Sequence, residues 1–273
     1  MKQASTSISL DAVRSAFDAA APSYDEDFCD SRIGRLQRAA AWRHLGKLFP
    51  LGGRLLDLGC GAGEDAVRFA HAGMEVDGID VAPAMIDAAR ERAAAEGLSD
   101  ALRFEALPIE QLDDLPECGY SGAYSSFGPL NCVEDLRPVA NALAERLRPG
   151  APVALCLMSR FCLWETLLYP LTATLHWATR HFSGSWALAG AQGETDFEVF
   201  YPSVDEVRRA FAPELVFESA PAFGIFLPPT YLEPFAQRFP RVVRALARLD
   251  RRVAHWPLLR ALGDHRLVIL RRR

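Results

Sequence analysis

The 273-residue chain is 50% hydrophobic and carries 30 Lys and Arg against 35 Asp and Glu, for a formal net charge of −5. That length and composition suit one large α/β domain, or one domain with insertions, and exclude collagenous and broadly disordered classes. The charge is uneven, because eleven arginines meet only Glu233, Asp250 and Asp264 between residues 230 and 273, so a basic C-terminal stretch is joined to an acidic body.

The N-terminal MKQASTSISLDAVRSAF lacks the apolar core of a secretory signal, and a cytoplasmic protein is expected. Six scattered cysteines without C-x-x-C spacing predict buried free thiols rather than zinc ligands or disulfides. Residues 153–179 are very apolar, but Arg160 and Glu165 interrupt them and the uncharged remainder is shorter than the roughly 20 residues of a span. A strand followed by an apolar lid is expected there, and no transmembrane segment.

In chain order, RLLDLG (54–59) reads as a buried strand and GEDAVRFAHAG (63–73) as a helix closed by Gly73. EVDGID (75–80) is a second strand, followed by a helix over 83–97 with Pro83 in its first turn and Gly97 past its end. LRFEA (102–106) and GAYSSF (122–127) read as strands, and Leu136, Val139, Ala140, Leu143 and Leu147 share one helical face. PVALCLM (152–158) is a fifth strand, Ser203 caps a helix over VDEVRRAF, and LVFES (215–219) and RLVILR (266–271) are late strands. This alternation predicts an α/β fold: a doubly wound, seven-stranded, mostly parallel sheet of Rossmann-like type. Residues 159–200 and 221–262 break the alternation and are expected to form a helical, aromatic-rich cap. The core of a single domain, 1–273, is then about 35–158, 201–220 and 264–273.

LLDLGCGAGED (55–65) is the most informative stretch. Glycines alternating after a strand let the chain turn tightly and bring bare backbone against a ligand, at which the next helix points its free N–H groups. Asp80 closes the second strand, where a carboxylate can accept both hydroxyls of a ribose. Gly61, Gly63 and Ala66 also satisfy the dinucleotide pattern G-x-G-x-x-A, which keeps an NAD-type oxidoreductase as an alternative. Against it, Asp57 just before the first glycine and Glu64 and Asp65 at the helix start would repel a pyrophosphate and suit a cationic ligand.

The stretch LLDLGCGAGEDAVRFAHAGMEVDGIDVAPAMIDAARERA resembles the first half of a class I S-adenosylmethionine-dependent methyltransferase. LRPGAPVAL resembles that family's join from helix to fifth strand. FDAAAPSYDEDF (17–28) is similar to the N-terminal F-x-x-A-x-x-Y-D segment of quinone C-methyltransferases and of the carboxyl methyltransferase of biotin synthesis. The resemblance covers about residues 15–158 and implies S-adenosyl-L-methionine as cofactor. It implies that Asp57, Gly59, Gly61 and Gly63 lie along the methionine moiety, that Asp80 holds the ribose, and that Val81 and Met85 flank the adenine. By the same resemblance Ser126 lies near the methionine amine or the substrate, and Tyr24 closes over the cofactor. The chain departs from the family at Leu107, where an Asp often contacts the adenine amine, and in SSFGPLNCVEDL, whose Phe127, Pro129 and Asn131 are candidates to face the reacting methyl group.

Methyl transfer asks the protein mainly to align donor and acceptor, and a base is needed only for some nucleophiles. His176, His181 and Tyr201 are weak candidates for that base, each with a packing or solvated role as the alternative, so no catalytic residue is assigned. Aromatics crowd both insertions, including Phe161, Trp164, Tyr169, Trp177, Phe182 and Trp186 in the first. They suit a small-molecule substrate that is apolar, aromatic or acyl, unless they only fill the core of the cap. In the Arg-rich segment 238–252, Val242, Leu246, Leu249 and Val253 form one apolar stripe of a basic amphipathic helix. That helix is either a solvated face over a small core or a docking site for an acidic carrier protein, an anionic membrane surface or a phosphate-bearing substrate. No nucleic-acid partner and no metal are expected. A non-catalytic binding protein on the same fold remains the third reading.

Overall fold

The computed structural model describes residues 3–164, 185–189, 196–254, 256 and 262–273. Leu55, Leu56 and Leu58 of β1 (Arg54–Leu58) are wholly buried, as a strand covered on both faces by helices requires. Around it lie β2 (Glu75–Asp80), β3 (Leu102–Ala106), β4 (Gly122–Ser125) and β5 (Pro152–Met158), all parallel. The late strands β8 (Leu215–Ser219) and β10 (His265–Arg272) complete the order β3-β2-β1-β4-β5-β10-β8, with β10 antiparallel to both neighbours. The predicted seven strands are all present, and a two-residue β9 (Ala222–Phe223) adds to β10. Strand order reverses between β1 and β4, so the carboxyl ends of β1, β2, β4 and β5 open onto one crevice.

The helices are α1 (Gln3–Ala20), α2 (Arg32–Leu48), α3 (Glu64–His71), α4 (Pro83–Ala95), α5 (Leu136–Arg146), α6 (Val204–Phe211), α7 (Glu233–Arg238) and α8 (Pro240–Val253). One core face packs β1, β4 and β5 against α5 and α6. The other packs Ala41, Trp42 and Leu45 of α2 against Phe49, Phe69 and Tyr124. Ser203 caps α6 with a full capping box to Glu206.

The first insertion is not helical throughout its described part. It carries a two-stranded antiparallel ribbon, β6 (Ser185–Ala189) with β7 (Asp196–Phe200), matching the alternating patterns SWALA and DFEVF. The second insertion supplies α7 and α8.

The basic helix exists where the sequence puts it, but its buried face differs from the predicted stripe. Val243, Asp250 and Val253 point inward, while Val242 is 46% and Leu249 40% exposed. The Asp250 carboxylate sets this rotation by accepting the backbone N–H groups of Phe226 (2.6 Å) and Leu227 (3.2 Å), which a turn buried under α8 must satisfy. Val243 then joins Ile33, Leu227 and Ala236 in a satellite core.

The cap is tied to the body at the start of α2. Both Glu233 oxygens accept N–H groups there, from Arg32 and Ile33, each at 3.0 Å, while Ser31 accepts from Gly34 at 2.9 Å. Glu233 thus serves as a cap from 200 residues away, and its charge suits the helix N-terminus. Glu233→Ala is expected to cost about 1–2 kcal/mol and lower the melting temperature by a few degrees. Calorimetric scanning of wild type and variant checks this.

Candidate functional site

The turn from β1 into α3 holds Gly59, Gly61 and Gly63 with φ of 77°, 51° and 79°, all in the left-handed region that side chains disfavour. The three have different surroundings. A Cβ on Gly59 would lie 2.2 Å from Cβ of Pro129, and one on Gly63 would press Ala89 and Phe104 at 3.1–3.2 Å. A Cβ on Gly61 would meet only the Tyr24 ring, at 3.6 Å. Gly59 and Gly63 are therefore bare so that the protein can pack, whereas the open side of Gly61 faces the crevice under Tyr24.

Asp80 ends β2 and is 9% exposed. One carboxylate oxygen accepts from Gly61 N (2.9 Å) and the other from Ala82 N (3.0 Å). Burial raises its pKa, and those N–H groups oppose the rise. Two bonds leave further acceptor positions on the carboxylate free for hydroxyls.

The floor of the crevice is charged. Arg38 of α2, nearly buried, pairs with Asp65 of α3 at 2.8 Å. Trp42 Nε1 donates to the same carboxylate at 2.6 Å. Burial alone would raise the Asp65 pKa, but Arg38 and these hydrogen bonds hold it below the usual carboxylate range. Asp57 stands beside them with the opposite outcome. Burial pushes its carboxyl well above the usual range, and the negative Asp65 adds to the effect. Its buried Oδ1 makes no close hydrogen bond, and the buried Tyr124 hydroxyl, in the same condition, is near enough to oppose the rise. A buried acceptor left in that state marks a place for a donor.

Above the floor is a cavity of about 290 Å³, lined mainly by apolar side chains. Leu10, Val13 and Phe17 of α1 form one wall, and Phe197 and Val199 of β7 another. Asp18 accepts from Ala84 N at 2.9 Å, and Arg14 donates to the Val81 carbonyl at 3.3 Å, which holds α1 across the opening. Tyr24, Gly59, Gly61, Asp80, Val81, Met85 and Ser126 all border this cavity. Asp57 and Ser126 border the small adjoining space beside Arg38 and Asp65, and Gly63 packs behind the turn. Tyr24 stacks on Phe28 (5.6 Å, 3°), and burial raises its hydroxyl's pKa.

Other candidates lie elsewhere. Tyr201 is buried and borders a separate groove with Arg160 and Glu206. His176 and His181 lie outside the described residues. Asn131 is a clamp rather than a group facing the cavity: its amide donates to the Phe200 (2.6 Å) and Met158 (3.3 Å) carbonyls and accepts from Met158 N (2.9 Å). Phe127 does line the cavity, at a φ of 57° that is strained for a bulky residue. The Arg38 guanidinium lies 5.0 Å from its ring centroid, with the His265 ring 5.5 Å away on edge.

Sequence reasoning missed Arg38, Trp42 and Glu110. Leu107, at the position of the missing acid, is buried and donates its N–H to the Asp80 carbonyl. Glu110, three residues later, lines the cavity instead, and burial raises its pKa. Arg38 and Trp42 lie on a helix between the 17–28 segment and the glycine loop, outside every motif, and only the fold brings them to the site.

The parallel sheet reversing at β1 and β4, the bare turn after β1 and the acid at the end of β2 define a class I methyltransferase fold. Residues 55–150 match the family model described as a methyltransferase domain. Residues 55–150 thus resemble a methyltransferase domain, set in a fold of the class I S-adenosylmethionine-dependent type. The chain is 29% identical over 143 residues to the tRNA 5-carboxymethoxyuridine methyltransferase of Escherichia coli, covering 51% of this chain and 54% of that one. To the malonyl-[acyl-carrier protein] O-methyltransferase of Serratia marcescens it is 35% identical over 157 residues, 56% of this chain and 55% of that one. The chain spans about half the length of these curated relatives. Among solved structures, an S-adenosylmethionine-dependent methyltransferase from Mesorhizobium loti superposes with a TM-score of 0.57 at 21% identity, covering 87% of this chain and all of the other. Geranyl diphosphate C-methyltransferase from Streptomyces coelicolor gives 0.56 at 18% identity, covering 88% and 79%. These two show a shared fold.

Two outcomes follow from the geometry. Gly59→Ala is expected to destabilise the fold by about 2 kcal/mol or more, through overpacking against Pro129 and left-handed strain. Gly61→Ala should cost only about 1 kcal/mol, and denaturant titration of both compares them. Asp57 gives a pH signature. Its folded pKa lies above the unfolded one, so its favourable contribution is complete at acid pH and is lost as pH rises through the folded value. Asp57→Asn should therefore melt above wild type at neutral pH, with the gap closing as pH falls toward the usual carboxylate range.

Proposed function

We propose that the protein is an S-adenosylmethionine-dependent methyltransferase acting on a small, apolar acceptor of acyl or aromatic type. The observation that carries this reading is the pairing of a cation and an acid on the crevice floor. Arg38 is suited to the cofactor's carboxylate, and Asp57, with its unpartnered buried oxygen, to the cofactor's ammonium. A pyrophosphate would meet Asp57, Glu64 and Asp65 instead, which disfavours a nicotinamide cofactor.

In this reading Asp80 accepts the ribose hydroxyls on the lone pairs its two backbone bonds leave free. Val81 and Met85 flank the adenine, and Glu110 takes the acceptor role that the sequence does not provide at Leu107. Gly61 lets the chain pass close to the methionine portion, and Tyr24 closes over it beside Ser126. When bound, S-adenosylmethionine supplies a methyl group already activated by its sulfonium. The chain's own contribution is alignment and exclusion of water, by the α1 and β7 walls and by Phe127 and Pro129. No imidazole borders the cavity among the described residues, which favours an acceptor that needs no base, such as a carboxylate.

The chain is read as one domain over 1–273, with its cap in the insertions 159–200 and 221–262. We place it in the cytoplasm, where all six cysteines, which are free, would stay reduced. No described helix is long and apolar enough to cross a membrane. The Arg-rich segment 238–252 is the docking surface for an anionic partner, an acidic carrier protein or an anionic membrane surface.

Asp80→Ala is expected to weaken S-adenosylhomocysteine binding tenfold or more, the scale of losing charge-assisted hydrogen bonds of roughly 1.5–3 kcal/mol. Arg38→Met should weaken it similarly. Titration calorimetry with unchanged affinity in both variants would overturn the cofactor assignment.

A further inference from the structure

Asp57 and Tyr124 are register partners across the parallel strands β1 and β4, so their side chains leave the sheet on the same face. Asp57 is 2% exposed and Tyr124 is fully buried. Neither the Asp57 Oδ1 nor the Tyr124 hydroxyl makes a close hydrogen bond. The Tyr124 ring is fixed by Phe69, with centroids 4.7 Å apart, and by Phe49 at 6.0 Å. A phenylalanine would make the same ring contacts. The hydroxyl is therefore a buried polar group that packing does not require, and leaving it unpaired costs free energy. Tyr124 borders neither the cavity nor the small space beside it, so it reaches a ligand only through a neighbour.

The groups around Asp57 leave it no cation of its own among the described residues. Arg38 of α2 is engaged by Asp65 of α3 at 2.8 Å. Arg92 of α4 is paired with Asp25, and Glu64 lies 4.0 Å from it. Asp80 of β2 adds a further acid, held by backbone N–H groups. Burial keeps the Cys29 and Cys60 thiols and the Tyr24 hydroxyl neutral. An ionised Asp57 would thus set a second carboxylate beside the one that already uses Arg38. In the free protein a proton on Asp57 removes that conflict, as burial and the Asp65 charge both favour. A bound ammonium would remove it equally well, and the proton would then be superfluous. Burial also keeps the Tyr124 hydroxyl protonated, so it stays a donor.

We propose that Tyr124 is a positioning residue for the cofactor: as the cofactor's ammonium arrives, Asp57 gives up its proton to solvent, and the Tyr124 hydroxyl donates to the carboxylate that remains. The Asp57 O–H bond is the only covalent bond broken, and the ammonium replaces the lost positive charge. This rests on the reading that Asp57 receives the cofactor's ammonium. Because binding releases a proton, it tightens as pH rises through the usual carboxylate range and levels off once Asp57 of the free protein is itself ionised.

The test is titration calorimetry with S-adenosylhomocysteine, in buffers of different ionisation heat, from the usual carboxylate range to mildly alkaline pH. Wild type should release up to about one proton per ligand bound, with affinity rising and then level. Asp57→Asn should release none and give a flat profile. Tyr124→Phe should weaken binding roughly tenfold below the level part of the profile. It should also move the rise to higher pH, because a donor that favours the carboxylate is gone. In the Asp57→Asn background the same change should have little further effect. Without ligand, Tyr124→Phe should melt no lower than wild type, whereas a hydroxyl needed only for stability would lower the melting temperature and leave the pH profile in place. Binding by wild type with no proton released at any pH overturns the proposal and leaves the cofactor assignment standing. An unchanged affinity and profile in Tyr124→Phe, or an equal loss in both backgrounds, overturns the role of Tyr124. No binding of S-adenosylhomocysteine by wild type removes the cofactor assignment and this proposal together.

Discussion

The buried pair between Arg38 and Asp65 is the contact on which the site is organised. It joins α2 to the first turn of α3, and therefore joins the N-terminal helices to the glycine turn. Trp42 reinforces it from one turn along α2, and Phe127 lies under the Arg38 guanidinium, in a backbone conformation that needs outside support. A buried ion pair has a desolvation cost that attraction roughly offsets, so its contribution to stability is small while removal of one partner is severe. Its use here is electrostatic. Asp65 keeps its charge beside Arg38, and the charge it keeps helps to leave Asp57 protonated at higher pH than usual. The two acids share a floor but differ in state because only one touches the arginine.

This arrangement leaves the crevice unfinished without a ligand. Asp57 and its neighbour Tyr124 are buried without close hydrogen bonds, and Asp80 has acceptor positions beyond the two already filled. Unsatisfied buried groups reduce stability, and a zwitterionic ligand would supply what each lacks. The apolar walls differ in origin. α1 belongs to the N-terminal segment and β7 to an insertion, so the surfaces that would select the acceptor are appended to the fold rather than part of its sheet.

The legible part of the sequence was the part with strict local rules. β1 and β5 were readable because strands covered on both faces are mostly apolar runs, the more polar β2 and β3 from their place beside well-marked helices, and the glycine turn because its φ values exclude side chains. Asp80 was readable from its place at a strand end. Arg38 was not, because a charged residue in an amphipathic helix looks the same whether it meets solvent or a buried acid. Glu110 was hidden by a three-residue displacement from the position at which an acid is sought. The rotation of α8 was invisible for a different reason. Counting apolar residues favours Val242 and Leu249 inward, but the backbone donors of residues 226 and 227 required Asp250, and hydrogen-bond satisfaction outweighed the apolar count. Asn131 looked like a site residue and proved to be a clamp between β5 and β7.

Glu233 has a consequence for how the molecule opens. The first N–H groups of α2 are satisfied by a side chain that arrives with the cap, so the start of that helix and α7 form one cooperative unit despite their separation in sequence. A local opening of the cap would fray α2 from its N-terminus, toward the turn that carries Arg38, while the sheet stayed closed. Fluctuations at the outer surface would thereby reach the crevice floor through helix fraying, with no rigid-body movement of the core.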